Sequence, residues 1–180
     1  MAKTTAPLQL FDGQLQEVVA PFLEAKGFAR AGRARLWVRA STTSKDISHL
    51  VWFQVGEPAS STGGRFTAEV GIYYPKYDRF CNGRKLLGPV IGACHFDVRR
   101  RIGQFQLTPA DKWWPYTGSA ETLARDVAKV VQLLSEHGLQ WLVATDTPAN
   151  EALYNTGKMP EPDRLRREAF ERQKAARKSK

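Results

Sequence analysis

Residues 47–74 read ISHLVWFQVGEPASSTGGRFTAEVGIYY, two apolar runs separated by turn-forming residues. In the second run, residues 65–74, every other residue from Phe66 to Tyr74 is apolar, as in a strand with one buried face. The first run, residues 47–56, is largely apolar at both sets of alternating positions, which is typical of a central strand covered on both sides. The intervening Gly, Ser and Pro residues favour turns, so the runs are predicted to be consecutive antiparallel strands.

Two further runs extend this sheet. Residues 33–41 carry Leu36, Trp37 and Val38 between arginines, and the short TTSKD connection after them implies an antiparallel meander. Residues 94–103 read CHFDVRRRIG and are predicted to form a fourth strand. Its apolar face is interrupted by Arg100, which is expected either near the end of the strand or buried against a carboxylate.

Helical spacing dominates both ends of the domain. Residues 11–28 carry an apolar stripe, with Asp12 as the predicted N-cap, Pro21 as a kink or break, and Gly27 at the C-terminal end. Residues 119–137 carry a second stripe, which Ser119 is predicted to cap and Gly138 to end.

Residues 139–145 are a possible continuation as a short helix, and Thr147 before Pro148 predicts the start of another. The sequence thus predicts an α+β fold, an antiparallel sheet of four or more strands packed against an N-terminal helix and a helix at about 119–137. Residues 1–157 are interpreted as one domain, and residues 158–180 as a basic helical tail, loosely docked or partly disordered.

Charge and cysteine content limit the classes of function. The chain has a net charge of +9 and two cysteines, Cys81 and Cys94. Two cysteines cannot form a disulfide framework, and no apolar run is long enough for a membrane span. A cytoplasmic protein without membrane association is expected. The positive charge favours nucleic acid or acidic protein partners.

No catalytic, cofactor-binding or metal-binding residues are predicted, and the chain is interpreted as a non-enzyme. On a strand, Cys94 and His95 point to opposite faces, which is wrong for a thiol nucleophile and its base. The three histidines lack the spacing of a metal motif, and GRKLLG at 83–88 lacks the end of a phosphate-binding loop.

The arginines of the fourth strand have two interpretations. Arg99 and Arg101 share a face, and the loop before that strand carries further basic and aromatic residues, Tyr77, Arg79, Arg84 and Lys85. Together they would form a basic patch for phosphates. Alternatively, the arginines pair with carboxylates such as Asp97, Glu69 and Asp111, and this second interpretation is preferred because charge-rich faces are usually only solvated.

Trp113 and Trp114 stand before a proline, which holds them in an extended chain with their side chains on opposite faces. One is expected in the core and the other on a surface or groove, and the sequence leaves open which is which. The exposed one marks a candidate binding site.

An ordered series of residues resembles the domain-of-unknown-function family numbered 4304. The similarity covers roughly residues 11–150, and its matching positions are Gly27, Phe28, Gly32, Arg33, Phe53, Gln54, Phe66, Gly71, Arg101, Ile102, Gly103, Trp113 and Trp114. The resemblance implies a helix-flanked antiparallel sheet. It implies no activity, because none is attached to that family.

Two hypotheses for function follow. The preferred one is a protein-interaction domain with a protein partner. The alternative is a nucleic-acid-associated protein that binds phosphates through Arg99, Arg101, the 76–85 loop and the basic tail.

Overall fold

The computed structural model describes residues 6–32, 35–60, 63–75, 98–116, 119–156 and 158, and only the backbone at 57–60 and 155. An antiparallel sheet packs on one face against helices from the N-terminal and C-terminal parts of the described chain. The predicted α+β fold is therefore confirmed.

The sheet follows the order of the chain. Its strands are β1 (Ala29–Arg30), β2 (Leu36–Ala40), β3 (Ser48–Ser60), β4 (Gly63–Tyr73), β5 (Arg99–Arg101) and β6 (Trp114–Pro115). Neighbours from β1 to β5 pair antiparallel, as the predicted meander requires, and β6 pairs with β4 beside β5.

The β3–β4 pair forms the centre of the core. On its inner face, Phe66, Ala68, Val70 and Ile72 of β4 are fully buried, as their alternation predicts. Burying a large aliphatic or aromatic side chain contributes roughly 1.5–3 kcal/mol, so this face is a main source of stability. On the outer face, Leu36, Leu50 and Tyr73 make a second, smaller buried cluster, while Trp52 and Gln54 of β3 are half-buried there, so the predicted cover of the central strand on both sides is only partial on this face.

The N-terminal helix has three parts: α1 (Ala6–Gln14), a wide π-helical turn (Leu15–Val19) and α2 (Ala20–Glu24). Its main buried side chains recur every four residues, and they are Pro7, Phe11, Leu15, Val19 and Leu23; Ala20 is also buried. Pro21 does not split the helix, which runs on from Ala6 to Glu24. A π-helical turn instead lies just before the proline, which supplies no N–H to the helical ladder.

Of the two predicted ends of this helix, the C-terminal one is confirmed and the N-terminal one is wrong. Gly27 has φ +79°, and Phe28 N–H donates to Leu23 O at 3.0 Å, which is the predicted left-handed C-terminal cap. The prediction that Asp12 is the N-cap is wrong. The helix already begins at Ala6, and the Asp12 carboxylate instead pairs with Arg35 at 2.6 Å.

The C-terminal helices are α3 (Ala120–Leu133), a π-helical turn (Leu134–Gly138), α4 (Leu139–Thr145) and α5 (Pro148–Asn155). Ser119 caps α3 by accepting from Thr122 N–H, and Thr147 caps α5 by accepting from Asn150 N–H at 3.2 Å. Both predicted caps are confirmed.

The prediction that Gly138 ends the helix is wrong, because the chain continues through it into α4. Gly138 instead allows a close approach between this helix and the sheet. A Cβ built there would lie 2.8 Å from Ile102 Cδ1 and 3.3 Å from Val70 Cγ1.

The fourth predicted strand is shorter than 94–103. Residues 94–97 lie outside the described part, β5 spans only Arg99–Arg101, and Ile102–Phe105 form a 3₁₀ turn. β5 and β6 share one edge of β4: β5 pairs with Glu69–Gly71, and β6 pairs with Arg65 and Phe66.

We expect Gly138→Ala to lower the free energy of unfolding by about 1–3 kcal/mol, since the added methyl overlaps packed core atoms. Gly13→Ala is the matched control, because it also lies in a helix and a Cβ there meets nothing within 4 Å. This control should gain up to about 1 kcal/mol from helix propensity. Chemical denaturation of both variants measures the difference, and equal effects would contradict the close approach at Gly138.

Candidate binding surface

The two adjacent tryptophans separate as predicted, and the structure assigns their roles. Trp114 is buried and stacks on Phe66 with ring centroids 6.0 Å apart. Trp113 is half-buried on the outer side of the sheet edge. Trp113 is therefore the tryptophan that is accessible for binding.

Two guanidinium groups lie over the Trp113 ring. The Cζ atoms of Arg65 and Arg101 are 5.1 Å and 5.0 Å from its centroid, within the range of cation–π attraction. Gly56 makes room for this arrangement, since a Cβ there would lie 3.0 Å from Trp113 Cζ3 and 2.9 Å from the Arg65 side chain. We call Arg65, Arg101 and Trp113, with Glu69, Arg99 and Asp111 beside them, the tryptophan surface.

Carboxylates neutralise the charges of Arg99 and Arg101, the two arginines predicted for this surface. Glu69, only 6% exposed, accepts from Arg101 at 2.9 Å and from Arg99 at 3.4 Å. Arg101 also donates to Asp111. Burial opposes the charge of Arg101, but hydrogen bonds and charge attraction from Asp111 and Glu69 raise the pKa of its guanidinium overall. The predicted pairing with Glu69 and Asp111 is confirmed, while Asp97 lies outside the described residues.

Arg65 differs from its neighbours. It is exposed, and no carboxylate in the described part of the chain pairs with it. Its guanidinium nevertheless contacts the Trp113 ring. The tryptophan surface thus presents one accessible guanidinium that lies against an indole and has no acidic partner within the described ranges.

The structure brings together only part of the predicted surface. Arg99, Arg101 and Trp113 meet on the outer side of β4, whereas Trp114 turns into the core. The remaining predicted residues lie outside the described part, and they are Tyr77, Arg79, Arg84 and Lys85. The sequence prediction missed Arg65, because only the β4–β6 pairing shows that it meets Trp113.

Arg100 points the other way, toward the helices. Its Cζ lies 5.2 Å from the centroid of the Trp141 ring. It is half-buried in the short edge strand β5. Arg100 was expected either near the end of its strand or buried against a carboxylate. Its place in a three-residue strand agrees with the first alternative.

A buried polar network was also not predicted. His49 and Asp146 are almost fully buried, and His49 Nε2 lies 2.7 Å from Asp146 Oδ2. Arg39 Nη2 lies 2.9 Å from His49 Nδ1. Since a guanidinium only donates, Nδ1 accepts and Nε2 carries the proton, so His49 is a neutral imidazole bonded to both neighbours.

Hydroxyl groups complete this network around Asp146. Thr43 Oγ1 donates to Asp146 Oδ1 at 2.6 Å, and Ser41 donates to Oδ2. Ser41 bonds the carboxylate and not the imidazole, and both imidazole nitrogens are already used. The arrangement therefore joins the end of α4 to the β2–β3 loop and does not activate a serine nucleophile. No sequence signal links His49 to Asp146, which follows 97 residues later.

Among the described residues, no group of three potential ligands is placed to hold a metal ion, and no helix is long and apolar enough to cross a membrane. Comparisons with protein families, with curated proteins and with solved structures found no match to this chain.

Acid should weaken the fold through His49. Burial is the main cause that lowers the pKa of His49 below its ordinary 6.5, and the nearby Arg39 charge adds to it, although Asp146 opposes both. Below pH 6.5 the imidazole of His49 is therefore protonated in the unfolded chain while it stays neutral in the native chain. The free energy of unfolding thus falls as the pH decreases below 6.5.

We expect the free energy of unfolding to fall more steeply below pH 6.5 in the unmodified protein than in His49→Gln, by up to about 1.4 kcal/mol per pH unit. Carboxylates titrate in both proteins, so the difference isolates His49. Urea denaturation of both proteins between pH 7.5 and 5 measures this difference in the pH dependence of the free energy of unfolding. Parallel curves would contradict a neutral, buried His49.

Proposed function

We propose that the protein is a non-enzymatic protein-interaction domain that binds an acidic peptide segment at the tryptophan surface. Arg65 carries the proposal, because it is an exposed cation held on Trp113 and no described carboxylate pairs with it. Cytoplasmic location belongs to the same proposal, since the chain's two cysteines are too few for the disulfide framework of many small secreted domains.

The residue types at this surface support a protein partner. Tryptophan and arginine are the residues that most often dominate binding energy at protein interfaces. Leu107, on the loop that leads to Trp113, has a fully exposed apolar side chain, with a relative exposure of 104%. A peptide carboxylate would bind Arg65, and a neighbouring apolar residue of the peptide would cover Trp113.

The compensated arginines weigh against the nucleic-acid alternative. Glu69 and Asp111 already neutralise Arg99 and Arg101, and the Asp111 side chain is 59% exposed. A phosphate backbone would have to displace these pairs and approach an exposed carboxylate. A single peptide carboxylate at Arg65 avoids both costs.

Peptide selection tests the proposal. We expect peptides selected from a displayed random library against the full chain to be enriched in Glu and Asp beside apolar residues. Arg65→Gln should weaken the binding of such a peptide about tenfold or more, since a charge-assisted hydrogen bond contributes about 1.5–3 kcal/mol. Calorimetric titration of the purified peptide measures the change.

Arg30→Gln is the matched control. Arg30 is also an exposed arginine over an indole, 5.6 Å from the Trp37 centroid, but it lies in β1, at the other edge of the sheet. Arg30→Gln removes the same charge as Arg65→Gln, so a general electrostatic effect would weaken peptide binding equally in both variants. Equal weakening, or selected peptides without acidic residues, would contradict the proposal.

Titration with single-stranded DNA and RNA across salt concentrations tests the alternative. We expect only weak binding, of the order of 10⁻⁴–10⁻⁶ M at physiological salt, as for non-specific association. Asp111→Asn should strengthen it, because this change releases Arg101. Tighter binding by the unmodified chain that Arg65→Gln abolishes would favour the nucleic-acid function instead.

A further inference from the structure

A second surface lies on the helical side of the sheet, where an open groove of about 420 Å³ runs between the turn after α2 and helix α4. We call it the helix groove, and its main lining residues are Lys26, Arg39, Leu139, Gln140, Val143 and Ala144. Its size is within the range of small-molecule sites. None of the lining residues in the described chain is aromatic, so an aliphatic ligand fits it better than one with a stacking ring.

One side of the helix groove is apolar. Leu139 and Val143 are four residues apart, which places them on one side of α4, and Ala144 follows Val143 in the lining of the groove. Val143 is 60% exposed, so much of its side chain is open to water in the groove. Covering it with an aliphatic chain removes apolar surface from water and is favourable.

The other side is cationic, and its arginine is held in place. Arg39 Nη1 donates to Lys26 O at 2.9 Å, and Nη2 donates to His49 at 2.9 Å. The guanidinium also lies 4.5 Å from the centroid of the Phe28 ring. Two N–H groups are used in this way, and a guanidinium has others with which to bind an anion. Ordering the arginine in advance reduces the entropy lost on binding.

No described carboxylate forms an ion pair with Lys26 or Arg39. Asp146 is the nearest acid in the network, but its oxygens are occupied by His49, Ser41 and Thr43. The helix groove therefore pairs a net positive side with an apolar side.

We propose that the helix groove binds a small amphiphilic carboxylate. The carboxylate binds Arg39 and Lys26, and the aliphatic body lies along Leu139 and Val143. This site uses residues separate from those of the tryptophan surface, so it stands independently of the proposed function. It also explains why the polar network holds Arg39 at the rim of an apolar groove.

Octanoate is the probe for the full-length chain, with octylamine as the control of equal length and opposite charge. We expect octanoate to produce saturable shifts in the NMR signals of the Lys26, Gln140 and Val143 amides, and octylamine to produce none. Absence of saturable octanoate binding up to its solubility limit, or equal binding of octylamine, would overturn the proposal.

Substitutions at exposed residues locate the site without endangering the fold. Val143→Glu places a competing carboxylate beside the cations and should raise the octanoate dissociation constant at least tenfold, about 1.4 kcal/mol. Lys26→Gln should also weaken binding. Leu107→Glu, at an exposed apolar residue outside the groove, is the control and should leave octanoate binding unchanged.

The two proposals fail separately. Val143→Glu should leave peptide binding at the tryptophan surface intact, and Arg65→Gln should leave octanoate binding intact. Equal loss of octanoate affinity in Val143→Glu and Leu107→Glu would overturn the helix-groove site, whatever the outcome of the peptide selection.

Discussion

The antiparallel pairing of β3 with β4 is the interaction on which the rest of the structure depends. Its register, from Ser48 opposite Tyr73 to Gly56 opposite Arg65, fixes both faces of the sheet at once. The inner face receives the helices, and the outer face aligns Glu69 with Arg101 across β4 and β5. A shift of one residue would exchange these faces, so the buried core and the tryptophan surface are consequences of one register.

The sequence predicted those features that depend on local rules. Alternation identified the two central strands, and the left-handed Gly27 followed from its place after an apolar stripe. Asp12 and Gly138 were misassigned, because the residue types that cap and end helices also serve other purposes. Asp12 forms an ion pair with Arg35, and Gly138 lets two packed elements approach closely. Such uses are set by tertiary contacts that no local pattern encodes.

The candidate sites show the same limit. The placement of Trp113 and Trp114 on opposite faces and the pairing of Arg101 with Glu69 were within reach of strand periodicity, but which tryptophan is accessible was not. Arg65 was not, since it meets Trp113 only through a two-residue strand, and neither was the contact between His49 and Asp146. Arginines that look alike in the sequence therefore differ: Arg101 is neutralised by Glu69 and Asp111, whereas no carboxylate of the described residues pairs with Arg65.

The proposed function depends above all on one contact, between Arg65 and a carboxylate of a peptide partner. A double-mutant cycle tests it most directly, with Arg65→Gln in the protein and Glu→Gln at each acidic position of a selected peptide. We expect a coupling energy of about 1.5 kcal/mol or more at one position of the peptide. Additive effects at every acidic position, within about 0.3–0.5 kcal/mol, would contradict it.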